Sequence, residues 1–344
     1  MQNSFLTSLF LGLFLLLSCN KEDTLTHKAT NGGILSLLML RPVDSAGRLL
    51  RGIYLYDLRS TPPQLFTTDP FLNYDWSADN RLIYWNQQNS RAYVKQLDGR
   101  EKELTSLRNT PNDLLSWSPN SQYVASVKRS ARLIIVDPAT DTRILNIENS
   151  DIQRKISDSQ ASWSADSQKL AFVVQSLSSS FKLIYYIDLA TKEVVKPPIP
   201  RSENTFQSIG WSSDGSHIYY LDGNQFFSYN LQDETVQMLV EEEERVSRVS
   251  YAPDYSMAAI TKIDLENNQQ THIVDLNTQQ TKAVINGRVR DRLAWSNDSR
   301  KIAYNVRNSG NIQVLDLDDP NSTPFVVYQL QNQESFIRIN WIGQ

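Results

Sequence analysis

The 344-residue sequence predicts an all-β fold built from repeated four-stranded antiparallel units, and three observations predict it. First, an aromatic residue followed by Ser and a short turn centred on Asp or Asn recurs along the chain. Its clearest copy is Ser162-Trp163-Ser164-Ala165-Asp166-Ser167, and Trp76-Ser77-Ala78-Asp79, Trp117-Ser118-Pro119-Asn120, Trp211-Ser212-Ser213-Asp214 and Trp295-Ser296-Asn297-Asp298 are others. Second, each copy leads into a β-rich run, and a later apolar run ends in Asp or Asn, as at Val136-Asp137, Ile187-Asp188 and Leu315-Asp316. Third, successive aromatics stand about 40–48 residues apart, which is room for four strands per unit. Together these features specify a β-propeller, in which radial repetition leaves only short edges.

The chain begins with residues 1–18, read as a signal peptide whose apolar core, Phe5 to Leu17, is too short to span a bilayer. Leu16-Leu17-Ser18-Cys19 resembles a bacterial lipoprotein cleavage site, which implies that Cys19 becomes the lipidated first residue of the mature protein. An ordinary signal peptide or a buried apolar segment is the alternative. Cys19 is the only cysteine, so no intrachain disulfide forms. Residues 19–33 are polar and without period, and are expected to be a lipidated flexible tether. Its Asn20-Lys21-Glu22-Asp23 resembles the lysine-plus-acids signal of surface-displayed lipoproteins. The expected address is the bacterial outer membrane, facing the periplasm or the cell surface.

Residues 34–344 are expected to form a single domain. Ile34 to Leu40, Gly52 to Leu58 and Gln64 to Phe66 read as the second, third and fourth strands of a unit that lacks its first. Trp341 begins a unit that lacks the remainder. Pairing the two ends gives seven blades, closed by the N- and C-terminal strands. Trp76, Trp117, Trp163, Trp211, Tyr251 and Trp295 open the other six, Tyr251-Ala252-Pro253-Asp254-Tyr255-Ser256 being a degraded copy. Pro197-Pro198-Ile199-Pro200 reads as a stiff loop and Glu241 to Glu244 as a solvated one.

These units resemble the TolB-like, WD-type propeller repeats of bacterial envelope proteins, whose usual core is Trp-Ser-Pro-Asp-Gly. The likeness covers nearly all of the chain after residue 33. It implies an envelope scaffold that binds a protein, peptide or glycan. It also implies a rival, since some polysaccharide lyases are built on TolB-like propellers. Those resembling oligogalacturonate lyase depend on a histidine-rich metal site.

Residue chemistry narrows the choice. His27, His217 and His272 fall in separate units, without the spacing of a zinc site, so no metal or other cofactor is expected. Gly210-Trp211-Ser212 begins like a nucleophile elbow, but Asp214 stands where a glycine is needed. No catalytic residue is assigned, and the expected class is a non-enzyme. A net charge of −4 supplies no basic field for nucleic acid. The ring is expected to be a monomer.

In the TolB-like pattern the aromatic-bearing strand is innermost. Period-two geometry then puts the residues one and three before each aromatic on one side of that strand. The residues one before are Asp75, Ser116, Ser162, Gly210, Ser250, Ala294 and Asn340. The residues three before include Arg248, Arg292 and Arg338 on consecutive blades, with Asn73, Gln160 and Ser208 opposite. Two readings stand: these six residues form a ligand-binding channel mouth for an anion, or each arginine pairs with a local acid such as Asp291 or joins neighbouring blades.

Overall fold

The computed structural model describes residues 33–342, apart from 43–48, 59–61, 69–72, 87–88, 109–113, 129–131, 153, 205, 241–244, 290–292, 320–321 and 332–333, and without the side chains of 157–160 and 336. The leader, Cys19, nearly all of the tether, His27 and Arg292 thus lie outside the described residues, as does the glutamate run.

Seven antiparallel sheets of four strands each stand in a ring. Blade 1 takes its innermost strand, Ser335–Ile342, from the C-terminus and its other three, Ile34–Pro42, Leu49–Asp57 and Gln64–Thr67, from the N-terminus. Leu35 pairs with Trp341 and Ser36 with Asn340, so the ends close the ring as the unit count predicts. Blades 2 to 7 follow in chain order. Their innermost strands are Tyr74–Trp76, Leu114–Trp117, Arg154–Trp163, Phe206–Trp211, Arg245–Tyr251 and Ala294–Trp295.

The sheets stack face to face, and the core is the set of layers between them. Among the described residues there is one apolar cluster for each of the seven interfaces. Leu38, Ile53, Tyr74 and Tyr84 join blades 1 and 2, for example, while Leu37, Tyr56, Ile312 and Val314 join blades 7 and 1. Strands covered on both faces read as continuous apolar runs, as Leu133-Ile134-Ile135-Val136 and Leu170-Ala171-Phe172-Val173-Val174 do, and all nine residues are fully buried.

The repeated serine explains why the turn after each aromatic is the same. The Ser77, Ser118, Ser164, Ser212 and Ser296 hydroxyls donate to the Asp or Asn two residues on. Each also accepts a backbone N–H from the start of the next strand, at 2.8–2.9 Å. Every turn needs one residue in left-handed backbone, four after the aromatic. Asn80, Ser121, Ser167, Gly215 and Ser299 fill it at φ 60–70°. Most are small or amide residues, for which that region is least costly. These turns define one face of the ring, the turn face. The hairpins between second and third strands define the opposite, hairpin face.

Candidate functional site

A channel of about 620 Å³ opens on the turn face. Its wall is built from the last residues of the innermost strands. Of the seven positions one before the aromatic, Asp75, Ser116, Ser162, Ser250, Ala294 and Asn340 line it, and only Gly210 does not. Of the residues two before, Tyr74, Leu115, Ile209 and Val249 are buried in the blade interfaces and do not line the channel, while Ala161, Leu293 and Ile339 also touch it. Period two therefore holds for the last stretch of each strand.

It breaks further back in blades 4 and 5, where register shifts between Ile156 and Ala161 and between Gln207 and Gly210 take in Gln160 and Ser208. In blades 1 and 6 the shifts lie earlier, between Phe336 and Arg338 and between Val246 and Arg248, so both arginines keep the ladder of the residues that follow them. The arginines expected at one mouth are divided all the same, since a residue two places further back lies deeper along the strand, away from the turn face. Arg338 lines the channel, but its guanidinium sits over the Tyr74 ring, 4.5 Å from the centroid, and donates to the Tyr74 carbonyl oxygen at 3.1 Å. Arg248 lines a separate cavity with Arg288 and Arg307, and Arg292 lies outside the described residues. Ser208, held at φ 49°, turns its hydroxyl to the Val249 N–H at 3.1 Å. The Asn73 carbonyl oxygen accepts the Trp85 N–H at 3.3 Å. Gln160 lies in the innermost strand of blade 4, its side chain outside the described set.

The channel wall is held by bonds that each run from one blade to the next. The indole N–H of Trp163 reaches the Ser116 carbonyl oxygen at 3.3 Å, and that of Trp211 the Ser162 carbonyl oxygen at 2.9 Å. Trp295 and Trp76 donate to the hydroxyls of Ser250 (3.3 Å) and Ser36 (2.9 Å). Asp75, the acid of the ring, accepts the Trp117 backbone N–H at 2.8 Å, and the Asn340 amide donates to the Tyr74 hydroxyl at 3.0 Å.

Blade 6 departs from this scheme, and the departure escaped the reading of its sequence as a degraded copy. Tyr251 stands for Trp, and its hydroxyl donates to the Ser208 carbonyl oxygen at 2.7 Å. Its ring covers Gly210 so closely that a Cβ there would lie 2.4 Å from a ring carbon. Gly210 is thus the gap in the channel ring because Tyr251 needs the space. Tyr255 occupies the left-handed turn position at φ 57°, a strained place for a bulky side chain. Its hydroxyl passes over blade 5 to donate to the Trp163 carbonyl oxygen of blade 4, and lies 3.1 Å from the Ser162 hydroxyl. Burial, opposed by the Ser162 bond, pushes the Tyr255 phenol up to about 12. Burial likewise raises Tyr251. Both rings remain protonated donors at neutral pH. The signal was present in the sequence: Tyr255 is the one residue at its repeat position that is not small or an amide.

The two described histidines lie in different blades. The His217 imidazole stacks on Tyr219 with its Nδ1 2.7 Å from the Ser216 hydroxyl, and His272 lies in the third strand of blade 6. Neither lines the channel. Among the described residues no group of three His, Cys, Asp or Glu converges. No described helix is long and apolar enough to cross a membrane.

No family model matches the chain, and no curated protein matches it. Solved structures do. An oligogalacturonate lyase in complex with manganese has a TM-score of 0.60 at 14% identity, covering 76% of this chain and 79% of that one. An oligogalacturonate lyase from Vibrio parahaemolyticus gives 0.58 at 15% identity, covering 85% of each chain. TolB from Acinetobacter baumannii gives 0.52 at 16% identity, covering 90% of this chain and 66% of TolB. At these identities the likeness is one of fold alone, that of a seven-bladed β-propeller.

Proposed function

We propose that this chain is a lipid-anchored envelope propeller that binds a partner segment, from a protein, peptide or glycan, in the turn-face channel and does no chemistry there. One observation carries the reading. The two acids of the wall and Tyr255 are already engaged, Asp75 with Trp117 and Tyr255 with Trp163 across blades and Asp254 with Ser256 within its turn, while about 620 Å³ stays open between aromatic edges and short hydroxyls. Such a wall is pre-organised, so a guest loses little to reordering of the site. An acid already holding a structural hydrogen bond is a poor general base.

Ile34 pairs with Ile342 at the turn-face end of blade 1, so Gly33 lies on the channel side of the ring. A lipid on Cys19 would keep the mouth within roughly 50 Å of the membrane, the extended reach of the intervening residues. Cys19→Ala is expected to release the protein from the membrane fraction.

The binding reading is tested by photo-cross-linking in the native envelope. A cross-linker at Ala78, on the channel rim, is expected to give a discrete adduct that the same group at Val236, on the outermost strand of blade 5, does not. Equal labelling from both positions contradicts it. So does sustained cleavage of a polyuronate by the purified chain, with or without manganese, which would favour the lyase alternative.

A further inference from the structure

The hairpin face carries a second cavity, of about 610 Å³, between blades 6 and 7. Three arginines line it, Arg248, Arg288 and Arg307, and among the described residues no Asp or Glu does. Two of them are brought together by the backbone. The connection leaving blade 6 forms an isolated antiparallel bridge with the hairpin of blade 7, Val289 opposite Val306, and the Arg307 N–H donates to the Arg288 carbonyl oxygen at 2.8 Å. In that register Arg288 and Arg307 are direct cross-strand neighbours with side chains on one side of the ribbon.

The close approach is built in. Gly287 lies at φ 89°, and a Cβ there would come 3.1 Å from the Val306 side chain, so the connection sits flat against the hairpin. Asn305, 3% exposed, lines the cavity with its amide held by the Asn311 carbonyl oxygen at 2.6 Å.

Like charges directly opposite in a strand pair repel. Neither the Arg288 nor the Arg307 guanidinium makes a hydrogen bond or ion pair among the described residues. All three arginines are exposed, and their convergence around a cavity of small-ligand size offers a place for negative charge. Guanidinium forks match the paired oxygens of carboxylate and phosphate. The volume exceeds that of one oxyanion and three guanidinium groups share it, so a guest with two anionic groups fits.

We infer that this cavity binds a small polyanion through Arg248, Arg288 and Arg307. It lies on the face opposite the channel mouth and is independent of what the channel holds. Isothermal titration of the full chain with inorganic pyrophosphate and with citrate tests it. At least one probe is expected to bind saturably, one per chain, and more weakly as salt is added. Binding of pyrophosphate alone makes the natural group a phosphate; binding of citrate alone makes it a carboxylate.

Arg288→Gln with Arg307→Gln is expected to weaken that binding at least tenfold. It should leave the anion-free melting midpoint unchanged or higher, since the repulsion is relieved. Should that pair of changes prevent folding, Arg288→Lys keeps the charge and loses the fork, and is expected to weaken binding several-fold. Failure of both probes to bind at millimolar concentration overturns the inference, and so does a variant that binds as tightly as the parent chain.

Discussion

Blades 4 and 6 begin from the same repeat and finish it differently. In blade 4 the Trp163 indole ties back to blade 3, Ser164 closes the turn, and Ser167 takes the left-handed position. The Ser167 hydroxyl then accepts the Asn120 N–H of the preceding turn at 3.0 Å. All of these bonds hold the ring together, and none reaches further than the adjoining blade. Blade 6 has Tyr251 for Trp, Ala252 for the turn serine, and Tyr255 at the left-handed position. It keeps the tie to its neighbour through Tyr251, loses the serine bridge, and throws Tyr255 across to blade 4. Where the repeat is kept it serves structure. Where it is broken, a strained tyrosine is set into the channel wall, and strain of this kind concentrates at functional sites.

Removing a kept element should do the most damage. Trp211 is fully buried, and Trp211→Ala is expected to cost about 3–5 kcal/mol in urea unfolding. Gly210→Ala comes next, because the Tyr251 ring stands where the methyl would go; overpacking of this kind costs about 1–3 kcal/mol. Gly33→Ala, which would lie 2.7 Å from the Trp341 ring, provides the same test at the ring closure. Trp211→Phe and Tyr251→Phe then ask whether the two ties are equivalent. Each deletes one donor to a carbonyl of the preceding blade, and each is expected to cost about 1–2 kcal/mol. A Tyr251→Phe protein as stable as the parent would show that blade 6 is not tied through this hydroxyl.

The smallest effect is one of pH. Asp214 is pulled down to about 2 by the Ser212 hydroxyl and by the Ser216 N–H and hydroxyl. A carboxyl whose folded value lies below its unfolded value near 3.8 contributes fully above about pH 4 and loses that contribution as pH falls toward 2. Asp214→Asn is expected to flatten the acid limb of stability over that window, and carboxyl NMR titration reads the value directly. Since Asp214 is exposed, the change in stability should be slight.

The ring was legible because its markers are local. Aromatic, serine and turn acid lie within a few residues, and their spacing counts the blades, including the one shared by Ile34 and Trp341. The channel ring was legible one residue before each aromatic, where the strands keep their ladder, at Asp75, Ser116 and Asn340. Three residues before, it was lost at Ser208, which falls in a bulge that leaves no mark in a pattern of apolar residues, and at Arg248, which keeps its register but lines the hairpin-face cavity instead. The meeting of Arg288 with Arg307 depends on how one blade's exit packs on the next blade's hairpin, which is a tertiary fact.

The most direct measurement makes blade 6 regular. Ala252→Ser with Tyr255→Gly restores the common turn and removes a bulky residue from left-handed backbone. Read out by melting midpoint and by cross-linking from Ala78, this variant should fold with its midpoint preserved or raised and lose the discrete adduct. A regularised protein that still forms the adduct at the parent's level would contradict the claim that the broken repeat shapes the binding mouth.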